Sequence, residues 1–544
     1  MTSETHPDVV VIGGGPGGST AATMLARQGL RVLLLERDHF PRPHVGESLL
    51  PASMPILEEL GVAEAIAEAG FLKKWGASMV WGVDPVPWSW RFEEASPQYP
   101  HSYQVDRAEF DRLLLDNARS HGVEVREDHR VTEVTFNGDR ATGLRALDGD
   151  GQALTVEAGF VVDASGQAAL IGRERDLREW DDFFRNLAVY GYYSGVARLD
   201  GQDESNILVE AIEDGWCWTI PLNRPPHERV ASVGVVLDAE RAAAAIEAGE
   251  VEAYYRSRLA QAAKTSQLLS GAELIEGPLV ERDWSYSSRQ FVGDGYVLVG
   301  DAACFVDPLF SSGVHLAMNS AVLAAAYVTS ALADEELMVA AAPVYEQLYR
   351  TQYRHFHELA KLFYSSNRTH DSYFWEARRV TDAEEYSPRH AFIRAVAGQP
   401  PVAYERAVLD HGVAPEAFTT SVSDLEAGRT ERMAELRELG EALIEATPEL
   451  DARIVAERRP VLGQGSFEWG HAIVSPAHPE GVPCSQLVAE LVRRIDGERS
   501  LHEIAASMVS ELGATVGPAL DGALASAAGI LYIDGTIANL AWPA

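Results

Sequence analysis

The sequence predicts an α/β protein with a Rossmann-like βαβ unit, then an antiparallel β portion, and then a mainly helical C-terminal region. Two apolar runs, Val9–Ile12 and Arg31–Leu35, flank a segment with helical spacing, which is the pattern of strand, helix and strand. Several β-rich runs between about residues 186 and 236 are typical of an antiparallel sheet. From about Val314 onward the pattern is helical, apart from a strand-like Gly529–Ile537.

Length, charge and composition limit the class of protein. With 544 residues and 46% hydrophobic content, the chain is long enough for two or three domains and a large buried ligand. Its formal net charge of -36 repels nucleic-acid phosphates, so no nucleic-acid partner is expected. Met1–Asp8 has no secretory pattern and no window approaches about 20 uninterrupted apolar residues, so we expect a cytoplasmic protein without a membrane span. Three dispersed cysteines favour neither disulfides nor a metal site.

The first βαβ unit contains a complete dinucleotide-binding fingerprint. Gly13 allows the tight turn, Gly15 lets the backbone approach a pyrophosphate, and Gly18 lets helix and strand pack closely. Glu36 ends the second strand, where its carboxylate can accept both hydroxyl hydrogens of an adenosine ribose. The helix N-terminus favours the negative phosphates, so we expect bound FAD. The predicted contacts are Gly13, Gly15, Pro16, Gly17, Gly18, Glu36 and Arg37.

A second nucleotide contact is indicated in the middle of the chain. Gly300-Asp301 is followed by Pro308 and then by Gly313, where a long Ala-rich helix begins. This segment resembles the flavoprotein hydroxylase superfamily, which has the p-hydroxybenzoate hydroxylase-like FAD domain. The resemblance implies that Asp301 bonds the ribityl hydroxyls and that the amides of Gly313 and Val314 face the flavin pyrimidine. The other cofactor contacts that it implies are Gln104, Arg107, Pro308 and the strand end Asp163–Gly166.

A tryptophan pair narrows the resemblance. Trp216-Cys217-Trp218-Thr219-Ile220-Pro221 resembles the Trp-x-Trp-x-Ile-Pro signature of flavin-dependent halogenases, whose indoles shield the flavin from the substrate. The resemblance implies a flavin-shielding role for Trp216, Trp218, Ile220 and Pro221. The alternative is an ordinary buried strand with two tryptophans on one face, because positions two apart share a face.

A lysine pair, Lys73-Lys74, precedes Gly76-Ala77. Halogenases of the phenol, pyrrole, chondrochloren and chloramphenicol types show a similar lysine ahead of a Gly-Ala or Ser-Ala pair, and the match falls on Lys74. The resemblance implies that Lys74 holds and aims hypochlorous acid. An ammonium can donate a hydrogen bond to it, and an amine with a lowered pKa can capture its chlorine as a chloramine. Without the resemblance, a lysine pair is typical of a solvated surface.

The segment Asp307–Gly313 resembles the halogenase loop in which chloride lies against backbone amides beside the flavin. Amides that converge at a helix start suit a halide. The residues implied are Ser311 as a catalytic residue and Ser312 and Gly313 as halide ligands. Tryptophan halogenases carry a glutamate at the position of Phe310, so its absence disfavours free tryptophan as the substrate. Glu47 is predicted either to orient groups near the lysine or to cap a helix.

The resemblance also implies a reaction. Reduced FAD and dioxygen supply the oxidant that converts chloride to hypochlorous acid, and Lys74 delivers this acid for electrophilic chlorination of an electron-rich carbon. The sequence has no second glycine-rich fingerprint for a nicotinamide cofactor, so a separate flavin reductase is the expected source of reduced FAD. Related halogenases act on phenols, pyrroles or activated acyl units in natural-product biosynthesis. Their substrates are often tethered to an acyl or peptidyl carrier protein, for which this acidic chain would need a local basic area.

Two other functions share part of this pattern. A flavin-dependent aromatic hydroxylase would use the same cofactor motifs without needing Lys74. A non-catalytic binding protein would use residues 486–544 as a winged-helix-like module. The acidic charge disfavours nucleic acid, so a packing or lid role for that segment is the favoured interpretation.

These motifs divide the chain into three predicted parts. The first, residues 1–365, is the halogenase core, with FAD-binding parts at about 1–80, 100–185 and 285–335 and a β substrate portion at about 81–100 and 186–284. The second, residues 366–480, is a helical extension that ends in a Pro-, Gly- and His-rich linker at Gly463–Pro483. The third, residues 481–544, is a small helix-rich module, for which a packing or a lid role is expected.

Overall fold

The computed structural model describes residues 6–81, 86–94, 98–366, 431–476, 481–512, 518–533 and 535–541. Most of the predicted helical extension, residues 367–430, lies outside this set. The strands are β1 Val9–Ile12, β2 Val32–Leu35, β3 Leu72–Lys74, β4 Gly76–Val80, β5 Trp88–Arg91, β6 Ser102–Gln104, β7 Glu124–Arg126, β8 Arg130–Asn137, β9 Arg140–Leu147, β10 Ala153–Glu157, β11 Phe160–Asp163, β12 Arg178–Ser194, β13 Ile207–Ile212, β14 Gly215–Arg224, β15 His227–Asp238, β16 Glu273–Ser288, β17 Val292–Gly293, β18 Tyr296–Leu298, β19 Cys304–Phe305, β20 Thr447–Leu450, β21 Val455–Leu462, β22 Phe467–Val474, β23 Val482–Cys484 and β24 Ile537–Ala541. The α-helices are α1 Pro16–Arg27, α2 Met54–Glu59, α3 Ala63–Glu68, α4 Arg107–Ser120, α5 Leu170–Glu174, α6 Ala239–Glu247, α7 Val251–Leu259, α8 Ala263–Leu268, α9 Gly313–Ala333, α10 Glu335–Ser366, α11 Gln486–Arg494, α12 Leu501–Leu512 and α13 Pro518–Ile533.

A six-stranded, mainly parallel sheet carries the predicted βαβ unit. Its strand order is β17-β18-β11-β1-β2-β7, and β1 pairs in parallel with β2 and β11. Every residue of β1 and β2 is buried, as expected for central parallel strands with continuous apolar runs. The helix α1 begins at Pro16, before the helical spacing that starts at Ser19, because proline fits the first turn of a helix. The predicted strand, helix and strand are therefore confirmed.

An eight-stranded, mainly antiparallel sheet forms the second layer. Its order is β19-β16-β12-β15-β14-β13-β4-β5, with β13 and β4 parallel. The β-rich runs predicted within residues 186–236 lie in β12 to β15. Because side chains alternate across a sheet, β14 places Trp216 and Trp218 in the main core and Cys217 in a second core on the opposite face.

Two long helices, α9 and α10, complete the main core. Within the described residues, α9 is the one helix long and apolar enough to cross a membrane, and 67% of its apolar window is buried, with α1 and α10 packed against it. An aromatic stripe on α10 is buried at Tyr345, Tyr349, Tyr353 and Phe356. The hydroxyls of Tyr345 and Tyr349 donate to backbone oxygens of Leu298 and Gly300. The stripe is therefore core packing.

Residues from Thr447 to Ala541 form a small module with its own core. In it β20 pairs with β24, β21 to β23 form a three-stranded sheet, and the helices α11 to α13 pack together. The predicted linker Gly463–Pro483 is wrong in its centre, because Phe467–Val474 forms β22 with Phe467, Ala472 and Ile473 buried. The predicted strand Gly529–Ile537 is also wrong, since α13 continues to Ile533 and β24 starts at Ile537. A short apolar run suits a buried helix as well as a strand.

This module docks at the C-terminal end of α9. The Ser330 hydroxyl donates to the Phe467 carbonyl oxygen at 3.1 Å and accepts from the Phe467 amide at 2.7 Å. Ser330 follows Gly313, the first residue of α9, by 17 residues, which is about 26 Å along a helix axis. Phe467 lies outside residues 481–544, so the lid role predicted for that segment stays a prediction.

Candidate active site

A large cavity lies between the two sheets, at the carboxyl ends of β1, β2, β11 and β18. Its volume is about 580 Å³, within the range of roughly 300–1,000 Å³ typical of ligand pockets. The predicted site residues that line it are Gly13, Gly15, Pro16, Gly17, Glu36, Arg37, Glu47, Arg107, Trp216, Trp218, Ile220, Asp301, Pro308, Ser311, Gly313 and Val314. Those outside its lining are Gly18, Lys74, Gln104, Pro221 and Ser312. The carboxyl ends of the strands, where this cavity lies, are the usual position of a ligand in a doubly wound sheet.

The turn between β1 and α1 is shaped for a phosphate group. Gly13 has a φ of +98°, which favours glycine, and a Cβ there would lie 2.5 Å from the Ala164 carbonyl oxygen. A Cβ on Gly18 would lie 1.9 Å from the Gly13 oxygen, so the helix packs tightly against the turn. At Gly15, by contrast, the nearest atom to a Cβ is the Arg42 Nη2 at 3.5 Å. The helix begins there without an acidic residue in its first turn, so its amides fit the pyrophosphate of a dinucleotide.

Glu36 lies at the end of β2 with 4% of its surface exposed. Its Oε2 accepts from the Gly14 amide at 2.6 Å, and its Oε1 accepts from the Asp38 amide at 2.9 Å. Its carboxylate lines the cavity and keeps lone pairs for a ribose diol. Arg37 is mostly exposed, pairs with Asp38 and lies at the rim.

Arg107, the first residue of α4, fastens the segment that leads to Glu47. Its guanidinium donates twice to the Asp111 carboxylate, at 2.8 and 2.9 Å. It also donates to the backbone oxygens of Val45 at 2.6 Å and Gly46 at 3.3 Å. These bonds hold a buried cation at the cavity wall and fix the backbone beside it.

Arg42 is a cavity residue that the sequence reasoning missed. Its Nη2 lies beside Gly15, and its Nη1 is 3.5 Å from the Asp111 carboxylate. It therefore places a positive charge next to the amides that open α1, where a pyrophosphate would lie. The available signal was a cation six residues after Glu36, in the loop at the end of the second strand.

Asp301 lies in the short 3₁₀ turn after β18 and lines the cavity. Burial raises the pKa of its carboxyl to about 6, while the cations Arg107 and Arg178 lower it. The Tyr286 hydroxyl donates to the backbone oxygen of Asp301 and holds the turn. This position agrees with the predicted contact to the ribityl hydroxyls, which stays a prediction.

The loop from Asp307 to Val314 opens backbone amides toward the cavity. The Asp307 Oδ1 accepts from the Leu309 amide at 2.9 Å and closes a 3₁₀ turn. Ser311 follows with a φ of +58°, in the left-handed region. A Cβ on Gly313 would meet nothing within 4 Å, so the start of α9 faces open space. Amides at a helix start fit a halide or the pyrimidine edge of a flavin.

The two side chains beside Ser311 point into the protein. Ser312 is 2% exposed, and its backbone oxygen accepts from the Leu316 amide at 2.9 Å. Its side chain lies outside the cavity lining, so a halide contact through its hydroxyl is not supported. Phe310 is buried edge-on against Phe363, with ring centroids 4.8 Å apart.

The strand β14 forms one wall of the cavity. Trp216, Trp218 and Ile220 line it on one face, and the two indole centroids are 6.0 Å apart. The Trp218 Nε1 donates to the Ser232 hydroxyl at 3.2 Å. Pro221 faces the opposite side and lines a separate cavity of about 10 Å³. The predicted shielding role of Pro221 is therefore wrong, because adjacent residues of a strand point to opposite faces.

Tyr364 on α10 connects this wall to the 307–314 loop. Its hydroxyl accepts from the Trp216 Nε1 at 2.5 Å and donates to the Asp307 Oδ2 at 3.0 Å. The Asn186 side-chain amide donates to the Tyr364 hydroxyl at 3.3 Å and to the Asp307 Oδ2 at 3.4 Å. The sequence reasoning missed Tyr364, which is separated from Trp216 by 148 residues.

Lys74 is a buried amine, with 2% of its surface exposed. Its Nζ donates to the Leu49 carbonyl oxygen at 3.0 Å, which also accepts from the Ser102 hydroxyl at 2.8 Å. The Phe92 ring lies 5.3 Å from the Nζ, and no acidic side chain in the described ranges forms an ion pair with it. Burial lowers the pKa of Lys74 to about 7. The neighbouring Lys73 is exposed.

Glu47 lines the cavity two residues before Leu49, whose carbonyl oxygen accepts from Lys74. Ser48 also lines the cavity. Glu47 is 2% exposed, accepts from the Tyr192 hydroxyl at 2.8 Å, and has a pKa raised by burial to about 7. The capping alternative is wrong, because the following 3₁₀ turn starts at Pro51, its N-cap residue is Leu50, and no side chain caps it.

Gln104 points away from the cavity. It ends β6, and its amide donates to the Ser205 carbonyl oxygen at 3.1 Å. The helix α4 starts only at Arg107, because the Asp106 side chain caps it by accepting from the Ala108 amide at 3.0 Å. A cofactor contact of Gln104 is therefore not supported.

Comparison with protein families and curated relatives agrees with this geometry. The profile of the family described as tryptophan halogenase matches residues 91–411, and that described as FAD dependent oxidoreductase matches residues 8–173. A tryptophan 2-halogenase of Chondromyces crocatus is 38% identical over 71% of this chain and 73% of the relative. A 1H-pyrrole-2-carbonyl-(peptidyl-carrier protein) chlorinase of Pseudomonas fluorescens is 33% identical over 67% of this chain and 85% of the relative.

Solved structures extend the comparison. The myxobacterial chondrochloren halogenase CndH is 40% identical with a TM-score of 0.65, covering 72% of this chain and 90% of CndH. The flavin-dependent halogenase CmlS is 31% identical with a TM-score of 0.73, covering 96% of this chain and 95% of CmlS. That likeness includes the C-terminal module. A peptidyl tryptophan dihydroxylase, QhpG, is 22% identical with a TM-score of 0.64 and shares the fold alone.

Proposed function

Because the chain belongs to the family of flavin-dependent halogenases, we propose that Lys74 passes hypochlorous acid made in the FAD cavity to an electron-rich substrate. The protein is an oxidoreductase with FAD as its cofactor. When bound, reduced FAD supplies, with dioxygen, the oxidising power that converts chloride to hypochlorous acid. The protein's own part is to hold the cofactor, keep the substrate away from it and relay the chlorine.

The cavity residues suit each part of FAD. The amides at Gly15 and the start of α1, with Arg42 beside them, would hold the pyrophosphate. Glu36 would accept from the adenosine ribose, and Asp301 would bond the ribityl chain. The amides that open α9 at Gly313 would face the flavin and the halide.

The observation that carries the proposal is the environment of Lys74. It is buried, has no ion-pair partner among the described side chains, and has a pKa of about 7, so its amine is partly neutral at neutral pH. A neutral amine is a nucleophile toward hypochlorous acid: an N–Cl bond forms, the O–Cl bond breaks, and the amine proton leaves with hydroxide as water. When the chlorine is then transferred to a substrate carbon, the proton displaced from that carbon passes to the amine.

The tryptophan wall supports a relay rather than direct transfer. Trp216 and Trp218 line the cavity, whereas Lys74 lies outside its lining and donates to the backbone oxygen of Leu49, the residue after Ser48. In this arrangement the oxidant would be made at one place, in the cavity, and used at another, beside Lys74. A substrate at Lys74 would be chlorinated without contact with the flavin.

Substrate class and partners follow from the relatives. One relative is a chlorinase of a pyrrolyl group on a peptidyl carrier protein, and another is a chondrochloren halogenase. We therefore propose a phenolic, pyrrolic or activated acyl substrate of natural-product biosynthesis, free or tethered to a carrier protein. A separate flavin reductase would supply the reduced FAD.

The decisive experiment compares Lys74→Met with Lys73→Met. Both variants are supplied with flavin reductase, chloride and candidate phenols and pyrroles, free and carrier-bound, and the products are identified by mass spectrometry. We expect Lys74→Met to lose chlorination at least roughly 100-fold, the usual scale for a catalytic group. It should still bind FAD and release hypochlorous acid to a small scavenger. The exposed Lys73 controls for loss of a charge on the same strand.

Two results would contradict this proposal. Full chlorination by Lys74→Met would remove the lysine from the mechanism. A hydroxylated product from the unaltered protein in the presence of chloride would favour an aromatic hydroxylase, the second candidate function.

A further inference from the structure

The two oxygens of the buried Glu47 carboxylate have different surroundings. The Oε1 atom accepts from the Tyr192 hydroxyl at 2.8 Å. The Oε2 atom is buried and accepts no hydrogen bond of normal geometry from the described residues, although the Ser232 hydroxyl lies near the carboxylate and Glu47 lines the cavity. A buried carboxylate oxygen without a partner is costly unless a ligand or a proton satisfies it. The Oε2 atom is therefore suited to exchange a proton with the cavity contents.

Tyr192 is itself held in place. It is 5% exposed, and the Arg224 guanidinium lies 4.4 Å from the centroid of its ring. Arg224 forms ion pairs with Asp106 and Glu276, each at 3.0 Å. Four elements, β12, β14, β16 and the start of α4, thus fix the direction from which the Tyr192 hydroxyl reaches Glu47.

We propose that Tyr192 is a positioning residue that holds Glu47 so that its free oxygen donates the proton consumed when hypochlorous acid forms in the cavity. This inference rests on the proposed function and adds the source of that proton. The balance is FADH2 + O2 + Cl⁻ + H⁺ → FAD + HOCl + H2O. FADH2 is oxidised by two electrons, chloride by two, and O2 accepts all four. The one further proton on the left must come from a group at the cavity, and Glu47 faces it.

The charged and titratable groups around Glu47 determine its proton affinity. Burial raises the pKa of Glu47 to about 7, while the Tyr192 hydroxyl, the Ser232 hydroxyl and the Arg107 cation lower it. Tyr190, on the same face of β12, also lies close to Glu47. Because the Tyr192 bond favours the carboxylate, its removal should raise the pKa of Glu47 further. The acid form would then persist to higher pH.

The test measures hypochlorous acid formation against pH for Tyr192→Phe, Tyr190→Phe and Glu47→Gln. All three are made in the Lys74→Met background, so that titration of the lysine does not enter, and the product is trapped by a scavenger. In Tyr192→Phe we expect the pH at which the rate of hypochlorous acid formation falls, the alkaline limb of the pH profile, to rise by roughly one unit. This is the scale of one lost hydrogen bond to a charged group. The limb should stay in place in Tyr190→Phe, whose ring packs against Tyr192. Glu47→Gln should lose the limb and form the acid more slowly.

The outcomes separate this inference from the proposed function. An unchanged limb in Tyr192→Phe, or a limb that persists in Glu47→Gln, would overturn the positioning role. If the parent protein forms no hypochlorous acid, the proposed function itself fails. FAD titration of each variant checks that the cavity is intact. Should Tyr192→Phe not fold, Arg224→Lys loosens the tyrosine ring without touching Glu47 and should move the limb in the same direction.

Discussion

Gly234 offers a direct test of how the tryptophan wall is built. It pairs with Trp218 across β14 and β15, and a Cβ at Gly234 would lie 2.2 Å from the nearest indole atom and 2.5 Å from the third nearest. Ordinary contacts begin at about 3.4 Å, so Gly234→Ala requires the ring to move by at least about 1.2 Å. Cross-strand partners share a face, so the ring would move off the sheet and into the cavity.

The loss of stability in Gly234→Ala depends on how tightly the Trp218 indole is packed. Trp218 is 4% exposed and packs against Trp216 and Tyr190. Overpacking costs about 1–3 kcal/mol, and loss of the bond to Ser232 about 1 kcal/mol more. We therefore expect Gly234→Ala to lower the free energy of unfolding by about 2–4 kcal/mol. It should also weaken FAD binding, because the displaced ring occupies cavity space.

The assay is denaturant unfolding of the FAD-free protein together with FAD titration. The double variant Gly234→Ala, Trp218→Phe should recover part of both losses, since a smaller ring relieves the clash. Gly522→Ala is the control: it lies exposed in α13 with nothing within 4 Å of a Cβ, and should stabilise by about 0.5–1 kcal/mol. If Gly234→Ala has the same free energy of unfolding and the same affinity for FAD as the parent protein, this account of the tryptophan wall is refuted.

Two further outcomes are expected. Ser330→Ala removes both hydrogen bonds to Phe467 and should weaken docking of the C-terminal module by about 1–2 kcal/mol. Amide hydrogen exchange in β22 should then be faster, and unchanged exchange would contradict this prediction. The pKa of Lys74 is lowered from 10.5 to about 7, so the unfolded chain binds more protons between these values and stability should rise with pH across that window. Lys74→Met should abolish this rise in denaturant unfolding curves, and a rise of the same size in the variant would exclude Lys74 as its source.

The sequence predicted best those features that depend on residues close together in the chain. The turn from Gly13 to Gly18 and the strand end at Glu36 lie within one βαβ unit, and their spacing determines their geometry. Errors arose where one local pattern allowed two structures. Gln104 was predicted to contact the cofactor together with Arg107, but Gln104 ends β6 and the helix begins only at Arg107. Pro221 was predicted to shield the flavin together with Trp216, Trp218 and Ile220, but it lies on the opposite face of β14.

Two residues that sequence reasoning missed, Tyr192 and Tyr364, are joined to the site across long separations. Tyr192 and Glu47 are 145 residues apart, and Tyr364 and Trp216 are 148 apart. Tyrosine is also a common core residue, and its hydroxyl gains a role only from the group opposite it. Packing of α10 and β12 against the cavity creates these pairs, so composition and periodicity carry no sign of them.

The alternation along β14 limits how the active site can change. One face of this strand lines the FAD cavity, and the other closes a second core around Cys217. Insertion or deletion of one residue would exchange the two faces, burying the indoles in the wrong core and exposing Cys217 to the oxidant. Variants selected for a new substrate should therefore keep the length of this strand and vary only at every second position.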